Sequence, residues 1–116
     1  MADLTIYHNP RCSKSRGTLG ILEDAGADVE VVDYTRQPVD RATLERIVGL
    51  LPDPPADLVR KDDTFKELGL DAEDYTTNDA VVDLLLEHPL LMQRPVVIRG
   101  DRAVIGRPPE NVHDLF

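Results

Sequence analysis

The residue in this sequence best suited to chemistry is its single cysteine, Cys12, which lies among basic and hydroxyl-bearing residues. The pattern predicts that a strand ends shortly before Cys12 and that a helix begins at Ser13, so the sulfur is expected at a helix N-terminus. Free backbone N–H groups and the positive end of the helix dipole stabilise a thiolate in that position. Arg11, Lys14 and Arg16 add positive charge. Both effects are expected to lower the thiol pKa and to make Cys12 a nucleophile.

Two neighbours of Cys12 are candidates for assisting it. Ser15 stands three residues later, where a dithiol oxidoreductase has its second cysteine, and it equally suits a first-turn residue that helps to cap the helix. His8 would help to ionise the sulfur if it approached in its protonated form, although a structural or surface role is equally well supported. For Cys12 itself the alternative is a small buried hydrophobic residue, the commoner fate of a free cysteine. Its polar neighbours argue against a core segment.

Three arginines farther along the chain are candidates for binding an anion. They are Arg60, Arg94 and Arg107. A guanidinium group presents several N–H donors in one plane, which suits the oxygens of a tetrahedral oxyanion. For any one of these arginines taken alone, a solvated surface position is the better interpretation.

Other kinds of site lack their required residues. A low-molecular-weight phosphatase loop would need an arginine six positions after Cys12, and that position is Thr18. His8, His88 and His113 show no metal-ligand spacing with the cysteine, so no metal site is predicted. No glycine-rich phosphate loop is present either.

Composition and charge narrow the classes of partner. The 116 residues, 41% of them hydrophobic, suit one domain covering residues 1–116, and the net charge of −9 disfavours nucleic acid and anionic membranes as partners. With one cysteine an intramolecular disulfide is impossible. The sequence has no apolar leader and no apolar run approaching the ~18 residues of a membrane helix. We therefore expect a cytoplasmic protein, and we expect it to be a monomer.

The elements that must position these residues follow an α/β pattern. The order is βαβ, then a helical insertion at about residues 40–90, then ββα, which is the order of a thioredoxin-like domain with a mixed sheet. Predicted strands cover residues 4–7, 29–32, 95–98 and 103–105. Predicted helices cover residues 13–25, 40–51, 56–60, 64–68 and 78–87, with a short one from Pro108 or Pro109 to Leu115. Gly26 is expected to stop the first helix, and Thr76 or Thr77 to cap the helix at residues 78–87.

Four segments of the sequence, in the same order, resemble the glutaredoxin-coupled arsenate reductase family. They are residues 6–16 (IYHNPRCSKSR), residues 58–61 with 67–70 (LVRK and ELGL), residues 88–97 (HPLLMQRPVV) and residues 106–110 (GRPPE). Each is modestly specific by itself. Together they extend the resemblance over nearly the whole chain.

The resemblance implies a thioredoxin-like fold in which Cys12 is the nucleophile. In such a fold the proline that opens the third strand, here Pro95, is typically cis. His8 would help to ionise Cys12, and Ser15 would contribute through its hydroxyl. The residues expected to bind arsenate are Arg60, Arg94 and Arg107.

A single protein thiol cannot complete a two-electron reduction by forming an internal disulfide. An external thiol, glutathione or an equivalent, is therefore expected as the electron donor, with a glutaredoxin-like protein resolving the mixed disulfide. No bound metal or organic cofactor is expected. Arsenite would be the product.

Two other functions remain open from the sequence. The family resembled also contains transcriptional regulators and members of unsettled function, so a regulatory or binding protein without arsenate chemistry is one alternative. Many of those regulators carry Cys-x-x-Cys, whereas this chain has Ser15 at the second position, which favours the reductase branch. The other alternative is a general monothiol oxidoreductase acting on glutathione mixed disulfides.

Overall fold

The computed structural model of the protein describes residues 3–115. The chain packs as two compact units, one made of the segments up to Gln37 and from Arg94 onward, and the other of Pro38–Gln93. The second unit corresponds closely to the predicted insertion at about residues 40–90. A single domain covering all of residues 1–116 stays a prediction, and residues 1, 2 and 116 lie outside the described part of the chain.

The first unit is built on a four-stranded mixed sheet with the strand order β2-β1-β3-β4. β1 pairs in parallel with β2 and antiparallel with β3, and β3 pairs antiparallel with β4. The α/β class and the mixed sheet expected from the sequence are therefore confirmed. The elements are β1 (Leu4–His8), α1 (Ser13–Asp24), β2 (Val29–Asp33), β3 (Val96–Arg99), β4 (Arg102–Ile105) and a final 3₁₀ helix, Pro109–Leu115.

An aliphatic core joins α1 and the final 3₁₀ helix to this sheet. Its buried members are Leu4, Ile6, Leu22, Val97, Val104, Val112 and Leu115. Leu4 and Ile6, two positions apart on β1, lie on the same side of the sheet in this core, as the period of two along a strand requires. The last segment is a 3₁₀ helix, the tighter form common in short pieces of chain.

The end of α1 is set by glycine. Gly26 has φ +73°, the left-handed conformation that a side chain disfavours, and its N–H donates to the carbonyl of Glu23. The predicted stop at Gly26 is therefore confirmed. Because α1 ends there, β2 can start at Val29 and lie beside β1.

The second unit is helical, and its α-helices begin at side-chain caps. Its elements are α2 (Arg41–Leu50), α3 (Asp63–Glu67), α4 (Asn78–Glu87) and the 3₁₀ helices Pro55–Leu58, Ala72–Asp74 and Pro89–Leu91. Asp40, Asp62 and Thr77 each accept a backbone N–H of the first helical turn. Thr77, rather than Thr76, is thus the cap of α4. Within residues 3–115, no helix has the length and apolar character needed to cross a bilayer.

Two elements of the second unit were not expected from the sequence. They are the 3₁₀ helices Ala72–Asp74 and Pro89–Leu91. Each is a single tight turn without a repeating apolar face, so hydrophobic periodicity carries no signal for it. The apolar faces of α2 and α4, which do repeat, pack against each other.

Candidate active site

The cysteine lies in the turn that joins β1 to α1. Cys12 is the N-cap residue of α1, and its N–H donates to the Asn9 carbonyl at 3.0 Å. The side-chain oxygen of Asn9 accepts the Arg11 N–H, also at 3.0 Å. These two hydrogen bonds fold residues 9–12 into a tight turn. They place the sulfur over the first turn of α1, as the sequence predicted.

A buried hydroxyl holds this turn from beneath. Ser15 is fully buried in the first turn of α1, and its Oγ accepts the Asn9 N–H at 3.0 Å. The same oxygen lies 2.6 Å from Nδ1 of His8 at the end of β1. Ser15 therefore ties the strand, the turn and the helix together, and its backbone N–H also hydrogen-bonds the Cys12 sulfur.

The surroundings of His8 favour its neutral form. Burial of the ring lowers its pKa; the carboxylate of Asp33 opposes that shift and Arg16 adds to it. A neutral imidazole has one bare nitrogen, so Ser15 can donate its hydroxyl hydrogen to Nδ1 while it accepts the Asn9 N–H. The structure thus links His8 to Cys12 through Ser15 rather than through a protonated ring. A role for His8 in ionising Cys12 stays a prediction.

Two of the three predicted arginines meet at the sulfur. The side chain of Arg94 lies close enough to Cys12 to lower the pKa of its thiol, by hydrogen-bond contact and by its charge. Nη1 of Arg107 lies 3.7 Å from the Cys12 sulfur and 3.4 Å from the carbonyl oxygen of Arg94. Arg94 precedes β3 and Arg107 follows β4, so the β3–β4 hairpin carries both guanidinium groups to the cysteine. The Arg94–Pro95 bond is cis, as expected, and so is Arg107–Pro108.

The surroundings of Cys12 favour its thiolate. Partial burial by itself would raise the pKa of the thiol. The backbone N–H groups of Ser15 and Lys14, the hydrogen bond from Arg94 and its positive charge together outweigh burial, and the pKa lies below its ordinary value. The result is a partly exposed sulfur with a larger thiolate fraction than a free cysteine and with guanidinium donors beside it.

The third predicted arginine belongs to the second unit. Arg60 follows the 3₁₀ helix Pro55–Leu58, and its N–H donates to the Leu91 carbonyl at 2.6 Å. Its Nη2 lies 3.8 Å from a carboxylate oxygen of Asp62. The side chain is mostly buried. Its role in binding an anion stays a prediction.

Comparison with known proteins places this site in a family. The model of the ArsC family matches residues 7–115, nearly the whole chain. The protein belongs to the ArsC family.

Curated relatives of this ArsC protein match along most or all of their length. An arsenate reductase of Neisseria meningitidis serogroup A is 44% identical, with 100% of both chains covered. An uncharacterised protein of Escherichia coli K12, YfgD, is 45% identical over 95% of this chain and 93% of its own.

Solved structures give the same relationship. The arsenate reductase from Vibrio cholerae superposes with a TM-score of 0.87 at 36% identity, covering 99% of this chain and 98% of that one. The thioredoxin-like fold expected from the element order is therefore confirmed. The resemblance noted from the sequence motifs is confirmed at the level of the family.

Some residues of this ArsC site were not singled out from the sequence. Thr18 is fully buried on α1, and its hydroxyl lies between two acceptors, the carbonyl of Lys14 at 2.9 Å and that of Gly106 at 3.1 Å. Gly106 in turn donates its N–H to the Pro95 carbonyl at 2.8 Å. These contacts fix the segments that carry Arg94 and Arg107. The only local signal was the spacing of Ser15 and Thr18, which places two hydroxyls on one face of α1.

Metal binding finds no support in the described part of the ArsC chain. Within residues 3–115, no three His, Cys, Asp or Glu side chains are grouped so that they could hold an ion. The polar groups around Cys12 that are described above are donors: backbone N–H groups and guanidinium groups. Such a set suits an oxyanion rather than a cation.

Proposed function

We propose that this ArsC-family protein reduces arsenate to arsenite, with Cys12 as the nucleophile. The observation that carries the proposal is the pair of guanidinium groups, from Arg94 and Arg107, at a sulfur whose pKa is lowered. A thiolate needs donors beside it to attack a negatively charged oxyanion, since charge repulsion otherwise opposes the approach. Relatives named arsenate reductase at 44% identity support the same choice of substrate.

The first chemical step forms a bond between sulfur and arsenic. The Cys12 thiolate attacks As(V), and an arsenate oxygen leaves as water after taking up a proton. Arsenic is still As(V) in this adduct. Arg94 and Arg107 hold the remaining oxygens and offset their charge, and Arg60 is proposed as a third donor on the basis of the family resemblance.

The second step supplies the electrons. An external thiolate attacks the Cys12 sulfur, the electron pair of the S–As bond stays on arsenic, and arsenic becomes As(III). The products are arsenite and a mixed disulfide between Cys12 and the external thiol. Because the chain has one cysteine, a second external thiol must then attack the mixed disulfide to release the Cys12 thiolate. We propose glutathione as the first thiol and a glutaredoxin-like protein as the second, acting on a cytoplasmic monomer.

The test is arsenate-dependent oxidation of NADPH in an assay coupled through glutathione reductase, glutathione and glutaredoxin. Cys12→Ser is expected to abolish turnover, while Arg94→Lys, Arg107→Lys and Arg60→Ala are each expected to lower kcat/KM for arsenate. Arg102→Lys on β4 is the matched control, because that arginine is exposed. It is expected to leave turnover unchanged.

The proposal would be contradicted if Cys12 is readily alkylated but the protein shows no arsenate turnover. The same assay with thioredoxin or mycothiol as the donor separates a wrong donor from a wrong substrate. Reduction of a glutathione mixed disulfide without any arsenate reduction would support the general oxidoreductase instead. If no assay shows activity, the remaining alternative is a regulatory or binding protein.

A further inference from the structure

A tyrosine hydroxyl lies buried beside the candidate site without a hydrogen bond. Tyr34, the residue after β2, is 1% exposed, and its Oη has no hydrogen-bond partner among residues 3–115. Buried tyrosine hydroxyls usually have a partner, because a donor taken out of water without one costs free energy. A buried hydroxyl without a partner at this position therefore indicates a function.

The neighbours of this hydroxyl are residues of the site. The side chains of Asn9 and Arg94 lie near enough to the hydroxyl to lower its pKa by hydrogen-bond contact, and the charge of Cys12 raises it. Burial raises the pKa of Tyr34 in spite of the charge of Arg94, so the hydroxyl keeps its proton. Neither contact meets the distance and direction of a full hydrogen bond in this structure.

Both neighbours have the chemistry to complete the hydroxyl's hydrogen bonds. The side-chain oxygen of Asn9 accepts the Arg11 N–H at 3.0 Å, and a carbonyl oxygen has a second lone pair for the Tyr34 O–H. The guanidinium of Arg94 is a donor only, and the tyrosine oxygen can accept from it. One hydroxyl can therefore join the turn that holds Cys12 to the arginine beside the sulfur.

We propose that Tyr34 is a positioning residue of the anion site, whose hydroxyl bridges the side-chain oxygen of Asn9 and the guanidinium of Arg94 when an oxyanion is bound at Cys12. The hydroxyl donates to Asn9 and accepts from Arg94. It acts through Arg94 rather than on the anion, because Oη is fully covered and no ligand atom reaches it without displacing a side chain. Contacts in catalytic sites commonly tighten on ligand binding. The inference deepens the proposed function, since it assumes an oxyanion site at Cys12.

The experiment measures how well an oxyanion protects Cys12 from alkylation by iodoacetamide. The probes are inorganic phosphate, and arsenate without any thiol donor, so that no turnover is needed. Wild type, Tyr34→Phe and the control Tyr75→Phe are compared, because Tyr75 belongs to the second unit, where its ring packs against Phe65. We expect Tyr34→Phe to melt no lower than wild type and to need about tenfold more oxyanion for half-protection, the loss of one hydrogen bond to a charged group. Tyr75→Phe is expected to match wild type.

Several outcomes would overturn the proposal. Unchanged protection in Tyr34→Phe would show that the hydroxyl does not serve the anion. A large fall in melting temperature would show that it already has a structural partner in the free protein. Wild-type Cys12 that neither oxyanion protects would remove the anion site altogether. If the oxyanions protect Cys12 as expected but no arsenate turnover is found, only the proposed function is contradicted.

A double-mutant comparison tests the route through Arg94. In an Arg94→Gln background, Tyr34→Phe is expected to cause no further loss of protection, because the partner of the hydroxyl is already gone. A second tenfold loss in that background would show that Tyr34 acts independently of Arg94. The positioning role would then be wrong.

Discussion

The hydroxyl oxygen of Ser15 lies 2.6 Å from Nδ1 of His8, and both side chains are buried. The same oxygen accepts the N–H of Asn9, so one serine supplies partners to two buried polar groups. Each group would be costly if left alone in the interior. The pair therefore fixes the end of β1 against the start of α1, where the backbone of Ser15 meets the sulfur of Cys12.

Removing the Ser15 hydroxyl should destabilise the protein as well as disturb the site. We expect Ser15→Ala to lower the free energy of unfolding by about 1–3 kcal/mol, because Asn9 N–H and His8 Nδ1 both lose a partner. Urea unfolding measures the change. Ser13→Ala in the same helical turn is the control, since Ser13 is exposed. Equal stability of the two variants would show that the buried contacts contribute nothing.

The neutral state of His8 predicts a pH dependence of stability. Its pKa is lowered in the folded protein, mainly by burial, so the unfolded chain takes up a proton at higher pH than the folded one. Stability from this group is complete above the unfolded value of about 6.5 and falls as the pH drops below it. We expect the unfolding free energy to decline between pH 7.5 and 5.5 in wild type and to change less in His8→Gln.

The control for that measurement is His113→Gln, because His113 is exposed on the final 3₁₀ helix. It should keep the decline seen in wild type. A decline that persists unchanged in His8→Gln would assign the pH dependence to other groups. Limiting the range to pH 5.5 and above keeps the ordinary titration of carboxylates out of the measurement.

The features that the local sequence predicts are those formed by residues close together in the chain. Cys12 at the start of α1, the stop at Gly26 and the cap of α4 depend on contacts within a few positions, and spacing identifies them. The approach of Arg107 to Cys12 depends on how β3 and β4 pair with β1. That register is a tertiary property, and only the family resemblance pointed to this arginine from the sequence.

The buried polar residues escaped sequence reasoning for a different reason. Thr18 lies in an ordinary helix pattern and Tyr34 in the turn after β2, and neither pattern marks a buried hydroxyl. Their significance lies in neighbours that are distant in sequence: Gly106 for Thr18, and Arg94 for Tyr34. No spacing rule joins these positions.

Gly106 cannot carry a side chain without moving its neighbours. A Cβ at this position would lie 2.8 Å from Thr18 Oγ1 and 2.9 Å from Pro95 Cγ. We expect Gly106→Ala to lower the unfolding free energy by about 1–3 kcal/mol, the usual cost of overpacking. It should also lower kcat/KM for arsenate, because Arg107 is the next residue. Thermal unfolding and the coupled assay measure the two effects.

A second glycine serves as the control, because its replacement by alanine is expected to raise the free energy of unfolding rather than lower it. Gly20 lies within α1, and a Cβ there would meet nothing within 4 Å. Gly20→Ala should stabilise the protein by about 0.5–1 kcal/mol through helix propensity. If the Gly106 and Gly20 variants changed stability in the same direction, the close approach at Gly106 would not be the cause.

The exposed basic residues near Cys12 in sequence should favour the reaction of its thiolate with negatively charged reagents over neutral ones. The chain carries a net charge of −9, yet Arg11, Lys14 and Arg16 are neighbours of Cys12 in sequence and are exposed. Iodoacetate and iodoacetamide react with the same thiolate and differ by one negative charge. We expect Lys14→Glu to lower the ratio of the iodoacetate rate to the iodoacetamide rate by about two- to fivefold at low ionic strength, as Coulomb's law gives for nearby solvated charges.

This ratio isolates electrostatic attraction, because any change in the thiolate fraction affects both reagents equally. Salt at 1 M, where the screening length is about 3 Å, should bring the ratios for wild type and Lys14→Glu together. An anionic thiol such as glutathione would gain from the same positive surface. A ratio that Lys14→Glu leaves unchanged at low salt would mean that the surface charge does not guide reagents to Cys12, and donor selection would then depend on contacts made after encounter.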